Sequence, residues 1–318
     1  INALGSVVHG DMNGVQITGL ANLAGGTMRG VQLAGISNIS GNNTVGLSAA
    51  GLVNITGDRT QGVIISGLTS IGGDNTSGLM ISGFMNVTGN MASGLHFSGA
   101  ANITGQSFGG LMASGLLNVV GEHMNGLQMA GIANITASKL NGVQIALCNY
   151  ATQARGLQIG LVNYYKEDMK GFQLGLVNAN PDTRVQMMVY GGNATPANIG
   201  VRFKNQLFYT ILGIGSMYQG LNDKFSASAS YRAGLSFTLY KGLSISGDLG
   251  YQHIEAFDNK DEVIPKRLYA LQARANLEYQ FTRKFGIFAT GGYGLTRFYN
   301  KSSNYDKGAI IEAGIVLF

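Results

Sequence analysis

Residues 78–93 read GLMISGFMNVTGNMAS and residues 94–109 read GLHFSGAANITGQSFG, one pattern repeated at a distance of sixteen. Outward from there the leading glycine recurs at Gly14, Gly30, Gly46, Gly62, Gly78, Gly94, Gly110, Gly126 and Gly142, and Gly156 and Gly171 follow at 14 and 15. A second glycine lies five residues after the leader, from Gly19 to Gly131, and a third eleven after it, from Gly25 to Gly121. An Asn stands eight after it at Asn22, Asn38, Asn54, Asn86, Asn102, Asn118 and Asn134, with Ser70 in the one odd turn. A fixed period of this length marks stacked units, none of which can bury its apolar residues alone.

Within a turn, the residues one and three after the leading glycine are apolar, as in Val15/Ile17, Val63/Ile65 and Leu79/Ile81, and they alternate with polar or small ones. Period two means a strand with two unlike faces. A second apolar pair repeats six and nine after the leader, as in Leu52/Ile55 and Phe84/Val87. Each turn is therefore expected to hold two short strands, with glycines supplying positive φ at corners. Stacked at ~4.8 Å, about eleven turns make a parallel β-solenoid roughly 50 Å long.

Apolar residues are expected inside this rod, Ile65 and Ile81 among them, with the repeated Asn as an inward ladder. The sequons that fall in that ladder, Asn54-Ile-Thr for one, are by-products of the repeat. The residues two and four after each leader are then outward: Gln16/Thr18, Gln32/Ala34, Ser48/Ala50, Met80/Ser82, His96/Ser98, Met112/Ser114 and Gln128/Ala130. Gln32, Ser48, Met80, Ser82, His96, Ser98, Met112, Ser114 and Gln128 form a candidate interaction face, uncharged enough for a partner to lie against it.

Composition agrees with an ordered, unusual chain. Glycine supplies 49 of 318 residues, about twice its usual ~7%, and charged residues only 12%, against a typical ~25%. Three prolines and no G-X-Y triplet exclude collagen, and low charge excludes disorder. Cys148 is the one cysteine, so no internal disulfide forms. No run of 18 apolar residues makes a transmembrane helix, although a β-barrel would need none. The segment Ala3-Leu-Gly-Ser-Val7 matches the second half of a turn, so Ile1 is expected to be a processed or trimmed start, or that end to be capped by a partner.

Residues 1–183 hold 6 of the 21 basic and 7 of the 16 acidic residues, but only 7 of the 28 Phe and Tyr. The domains are accordingly 1–183, the solenoid, and 184–318. From Arg184 the strands lengthen: over 225–240 the odd positions Phe225 to Leu239 are apolar and the even ones Ser226 to Tyr240 polar or small, and Leu271–Phe281 repeats the alternation. Two-faced strands this long belong in lipid. Eight are expected, at 184–192, 196–204, 206–218, 225–240, 242–256, 267–281, 284–299 and 308–318, closing an antiparallel transmembrane barrel. Tight turns at 204–206, 240–242 and 282–284 alternate with longer loops around Asn222-Asp223, 257–266 and 300–307. Short turns belong to the periplasmic side of such barrels, which places the solenoid there too.

Arg202, Arg232, Asp248, Arg274, Glu278 and Glu312 are expected to point inward, and the lumen of an eight-stranded barrel is filled by side chains, so they should form an ionic network that plugs it. Tyr240, Tyr279, Phe281 and Phe285 are expected to form an aromatic girdle beside the tight turns. The end of the chain, Ala309 to Phe318, resembles the C-terminal signal of bacterial outer-membrane barrels, departing from it at Gly314 and Glu312. The units Gly142-Val-Gln-Ile-Ala-Leu-Cys-Asn149, Gly156-Leu-Gln-Ile-Gly-Leu-Val-Asn163 and Gly171-Phe-Gln-Leu-Gly-Leu-Val-Asn178 resemble the surface-repeat proteins of Bacteroidota and spirochaetes, with G-[LV]-Q-[IL]-G-[LV]-x-N repeats covering most of 1–180. That resemblance implies a place in the cell envelope of a Gram-negative bacterium and no particular activity.

Four dispersed histidines and the lack of a nucleophile elbow, P-loop or paired-carboxylate motif argue against an enzyme. No cofactor or metal is expected, and interspersed charges argue against nucleic acid. The expected role is a scaffold or interaction protein of the envelope, with outer-membrane lipid and a protein of the envelope as partners. The alternative is an autotransporter-like surface adhesin, which the three residues Pro181-Asp182-Thr183 oppose: they span about 10 Å, too little to cross a bilayer of ~30 Å.

Overall fold

A computed structural model describes residues 1–205, 207–218, 221, 225–257, 267–299 and 304–318. Gln206, Asn222, Asp223 and most of the loops at 257–266 and 300–307 lie outside the described residues. The chain is all-β and divides into two compact units, Ile1–Gly175 and Leu176–Phe318.

The first unit is a parallel solenoid. Each regular turn holds a strand of seven or eight residues through the leading glycine, such as Asn75–Ser82, and one of four, such as Met85–Thr88. Successive turns pair in register, Gly62 with Gly78 with Gly94 and Asn86 with Asn102. In the last turns the two strands merge, as in Ala133–Ile145 and Val162–Leu174, and register shifts after Thr136 and Ala151 absorb the shorter spacings.

The glycines work differently from expectation. Positive φ belongs to the leaders, eleven from Gly14 to Gly171, which kink the longer strand in mid-course. Gly83, at a corner, has no such φ. Its constraint is steric: a Cβ there would overlap the carbonyl oxygen of Gly67, one turn back.

The two faces are also the reverse of expectation. Gln32, Ser48, Met80, Ser82, His96, Met112 and Gln128 are buried in the rod, and the hydroxyls of Ser98 and Ser114 are enclosed. Ile65 and Ile81, expected inside, are exposed. The physical reason is in-register stacking, which sets every side chain beside its own copy one turn away, so an inward amide finds another amide. Asn22 Nδ2 donates to Asn38 Oδ1 at 2.8 Å, and the relay continues from Asn86 through Asn102 and Asn118 to Asn134 at 2.8–2.9 Å. The second amide proton goes to a backbone carbonyl, as from Asn102 to Ala113 at 2.8 Å. At the odd turn the Ser82 hydroxyl donates to the Asn86 side-chain carbonyl at 2.6 Å and lies 2.9 Å from the Ser70 hydroxyl, so serines bridge the gap. Glutamines build a parallel ladder, Gln32 to Gln16 and Gln173 through Gln158 and Gln144 to Gln128, at 2.8–2.9 Å. The middle turns hold an apolar cluster around Phe108, Met112, Met124 and Leu140, and the first turns a smaller one of Met12, Ala24 and Met28.

The second unit is a closed eight-stranded antiparallel barrel of Arg184–Gly192, Ala197–Asn205, Phe208–Ser216, Ser226–Tyr240, Leu243–Ala256, Arg267–Thr282, Phe285–Phe298 and Asn304–Leu317. The first and last strands pair from Met187↔Leu317 to Gly192↔Glu312. The segment Val177–Ala179 packs with this unit: Asn205 Nδ2 donates to the Asn178 carbonyl at 2.6 Å and Thr210 Oγ1 to that of Leu176 at 3.0 Å. Outward residues are mainly apolar, and inward ones combine the polar side chains that the alternation required with two apolar clusters, around Met188, Ile211 and Phe288 and around Ile254, Leu268 and Ala270. On the last strand Glu312 and Val316 point inward while Ile311 and Ala313 face out.

Candidate interaction surface and barrel lumen

All six charged residues expected in the lumen are buried there and brought together. Arg202 grips Glu278 with two nitrogens at 2.6 and 2.9 Å and donates to Gln186. Arg232 binds Asp248 through Nε and Nη2, both at 2.8 Å, and Arg274 binds Glu312 through two bonds of 3.2 Å. Arg232 Nη1 lies 3.8 Å from Glu312, linking the second pair to the third. Tyr209 donates to Asp248 at 2.7 Å, Asn276 to the same oxygen at 2.9 Å, and Thr290 to Asn276 at 2.7 Å. Three guanidinium groups thus face three carboxylates, and polar neighbours take up further lone pairs of Asp248 and Glu278. The arrangement fills and stiffens the lumen.

Outside, the strand Arg267–Thr282 carries Tyr269 and Tyr279 on its outer face, with Leu271, Ala273, Ala275 and Leu277 between them. Ten residues are ~33 Å of strand, or ~25 Å along the axis at the usual tilt, which is the apolar height of an outer-membrane barrel. Aromatic clusters mark both levels. Phe281 contacts Tyr279 (4.9 Å between centroids) and Phe285 (5.8 Å) at the tight-turn end, while Tyr269 contacts Tyr251 (6.1 Å) and Tyr299 (5.1 Å) at the other. Polar-in, apolar-out strands between two aromatic belts make this a barrel of the outer-membrane type.

The solenoid's candidate face is not on its surface, and another set of residues is. Val15, Leu95 and Phe172, one after the leader, and Ile65, Ile81 and Met129, three after it, are exposed. So is the corner column six after it: Leu20, Ile36, Leu52, Leu68, Phe84, Leu116 and Ile132, continued by Leu147 and Leu161. This column is continuous, since Leu68 N donates to the Leu52 carbonyl at 3.0 Å and Phe84 N to that of Leu68 at 2.9 Å. With the column nine after the leader, where Leu23 and Ile71 are exposed, these columns wrap about nine of sixteen residues, on the order of 1,500 Å² at ~3.3 Å per residue and ~4.8 Å per turn. Soluble monomers seldom expose contiguous apolar patches beyond a few hundred Å².

A sequence signal marks this surface. All twelve charged residues of 1–175 lie within the five positions that precede a leading glycine, among them Asp11, Arg29, Asp58, Arg59, Asp74, Glu122, Lys139 and Arg155. Charge confined to one edge of the turns that carry it identifies which edge meets water and leaves the other faces to something else. Alternation alone carries no such sign.

His96 interrupts the inward column between its register partners Met80 and Met112, edge-on to Phe108 at 4.9 Å, and its Nε2 has no hydrogen-bond partner among the described residues. Burial lowers its pKa from 6.5 to about 4. The folded rod therefore holds the neutral ring, and stability present above pH 6.5 is lost as pH falls towards about 4 and is level below that. The loss is about 3 kcal/mol. Urea unfolding at pH 7 and pH 4 should show it, and His96→Gln, the residue that stands at this position two turns on as Gln128, should flatten it. An unchanged pH dependence in His96→Gln would assign the effect elsewhere.

No family model and no curated protein matches this chain. Among solved structures, the N-terminal β-barrel domain of Pseudomonas aeruginosa OprF is similar at 16% identity, covering 42% of this chain and 93% of that chain, with a TM-score of 0.29.

Proposed function

We propose that this chain is a non-enzymatic scaffold or interaction protein of the Gram-negative envelope, in which the barrel is the outer-membrane anchor and the solenoid the interaction module. The observation that carries the reading is the pairing of an inverted barrel, its lumen closed by three ion pairs, with a solenoid whose exterior is apolar over most of its girth. A plugged lumen supports anchorage over conduction. The repeat units at Gly142, Gly156 and Gly171, which resemble those of envelope surface-repeat proteins, support the same location.

Both barrel ends and the tight turns lie at one rim, since Arg184 starts the first strand where Asn205, Tyr240 and Thr282 end theirs. Short turns are periplasmic in this class, and this supports a periplasmic solenoid. The test uses Ser93→Cys, on the exposed charged edge, in a Cys148→Ser background. An impermeant maleimide should label it only after the outer membrane is permeabilised. Labelling in intact cells would overturn the topology and favour the adhesin.

A further inference from the structure

We propose that the apolar faces of the solenoid are a lipid-binding surface, seated in the acyl-chain layer of a bilayer leaflet with the charged edge turned to headgroups and water. This rests on the anchoring role of the barrel given above and names what the interaction module engages.

Four observations carry it. First, the solenoid shares the inversion of the barrel: amides and hydroxyls of Asn102, Gln144 and Ser82 are satisfied inside, and Leu52, Ile65 and Ile132 face out. In water the opposite arrangement is favoured, whereas in lipid every polar group must be satisfied within the protein. Second, backbone groups pair from turn to turn along the corner column as well, where Leu116 N donates to the Ala100 carbonyl and Ile132 N to that of Leu116, both at 3.0 Å.

Third, the columns repeat apolar residues turn after turn, mostly aliphatic with Phe84, Phe97 and Phe172 among them, and carry no charge. A protein partner needs features that fix its position, typically aromatic and Arg hot spots and a polar rim. A fluid acyl layer needs none, and an element with a wide apolar face and one charged edge is the form that lies in a membrane interface. In the late turns the column nine after the leader changes from Ile and Val to Tyr150 and Tyr164, stacked at 5.8 Å, beside the charged run Lys166, Glu167, Asp168 and Lys170. Amphipathic rings of this kind settle at headgroup level. Fourth, only residues 176–183 join the last solenoid turn to the first barrel strand. Covalent linkage through eight residues to a membrane anchor raises the effective concentration of lipid that the solenoid meets.

The chain has no Trp, so a single introduced Trp reports its own surroundings. Full-length Leu52→Trp, Ile132→Trp, Gln61→Trp and Leu249→Trp would be reconstituted into phosphatidylethanolamine–phosphatidylglycerol vesicles with or without acyl-brominated phosphatidylcholine. Leu249 is on the outer barrel wall, 72% exposed, and reports anchoring. Leu249→Trp, Leu52→Trp and Ile132→Trp should lose most of their emission to bromine, and Gln61→Trp, on the charged edge, should keep it. Quenching at Leu249→Trp without quenching at either solenoid apolar site would overturn the lipid assignment and leave the anchor standing, with blue-shifted emission at those sites pointing to a second copy of the chain. Failure of quenching at Leu249→Trp would overturn the anchor itself.

Discussion

Arg232→Ala should destabilise the barrel by about 3–5 kcal/mol, the cost of removing one partner from a buried ion pair. Arg232 is 1% exposed and its guanidinium serves Asp248, Asn276 and, at longer range, Glu312, while its cationic carbon lies 5.8 Å from the Tyr190 ring centre. Truncation leaves Asp248 with two neutral donors, Tyr209 and Asn276, and no cation. The double variant Arg232→Met with Asp248→Leu should recover much of the loss, because a neutral replacement removes both desolvated charges together. Arg267→Ala is the control: its bond to Glu255 at 3.3 Å is at the surface, with Arg267 67% exposed, and pairs of that kind contribute ~0–1 kcal/mol. Urea midpoints of the vesicle-inserted protein, read by heat-modifiable gel mobility, would rank the three. Equal midpoints for Arg232→Ala and Arg267→Ala would show that the lumen network contributes nothing to stability.

The barrel was legible in the sequence because membrane strands obey two constraints at once, alternation and length. Arg184–Gly192 was read to the residue, and the lumen charges followed from parity alone, Arg232 and Arg274 falling on the even positions of their strands. The solenoid was legible in its period and not in its polarity. The spacing of Gly62, Gly78 and Gly94 sets the turn length and register whatever the environment, whereas assigning Ile65 to the core assumes that the surroundings are water. Met80 and His96 compounded the error, since bulky residues in a column that is Gln or Ser in other turns read as surface variation when they are fillings of a narrow interior. The corner glycines illustrate a third limit: Gly83 is required by the carbonyl of Gly67 in the neighbouring turn, a contact that no local φ preference encodes.

Ile64 and Ile65 offer the most direct test of that polarity, being identical, adjacent and on opposite faces. Ile64 is 3% exposed, between Ser48 and Met80 in the inward column, and Ile65 is 40% exposed. Ile64→Asp should prevent the middle turns from closing, since a carboxylate there meets a thioether and one hydroxyl and has no cation, at a cost of several kcal/mol. Ile65→Asp should leave the fold intact in detergent, where the carboxylate reaches solvent. Turns couple only to their neighbours, so the damage from Ile64→Asp should be local at first, with new protease cleavage near residues 48–80 while the barrel keeps its gel mobility. Circular dichroism and limited proteolysis of both variants decide the matter. If Ile65→Asp proves the more damaging, the apolar residues are inside after all, and both the exposed columns and the lipid surface built on them fall together.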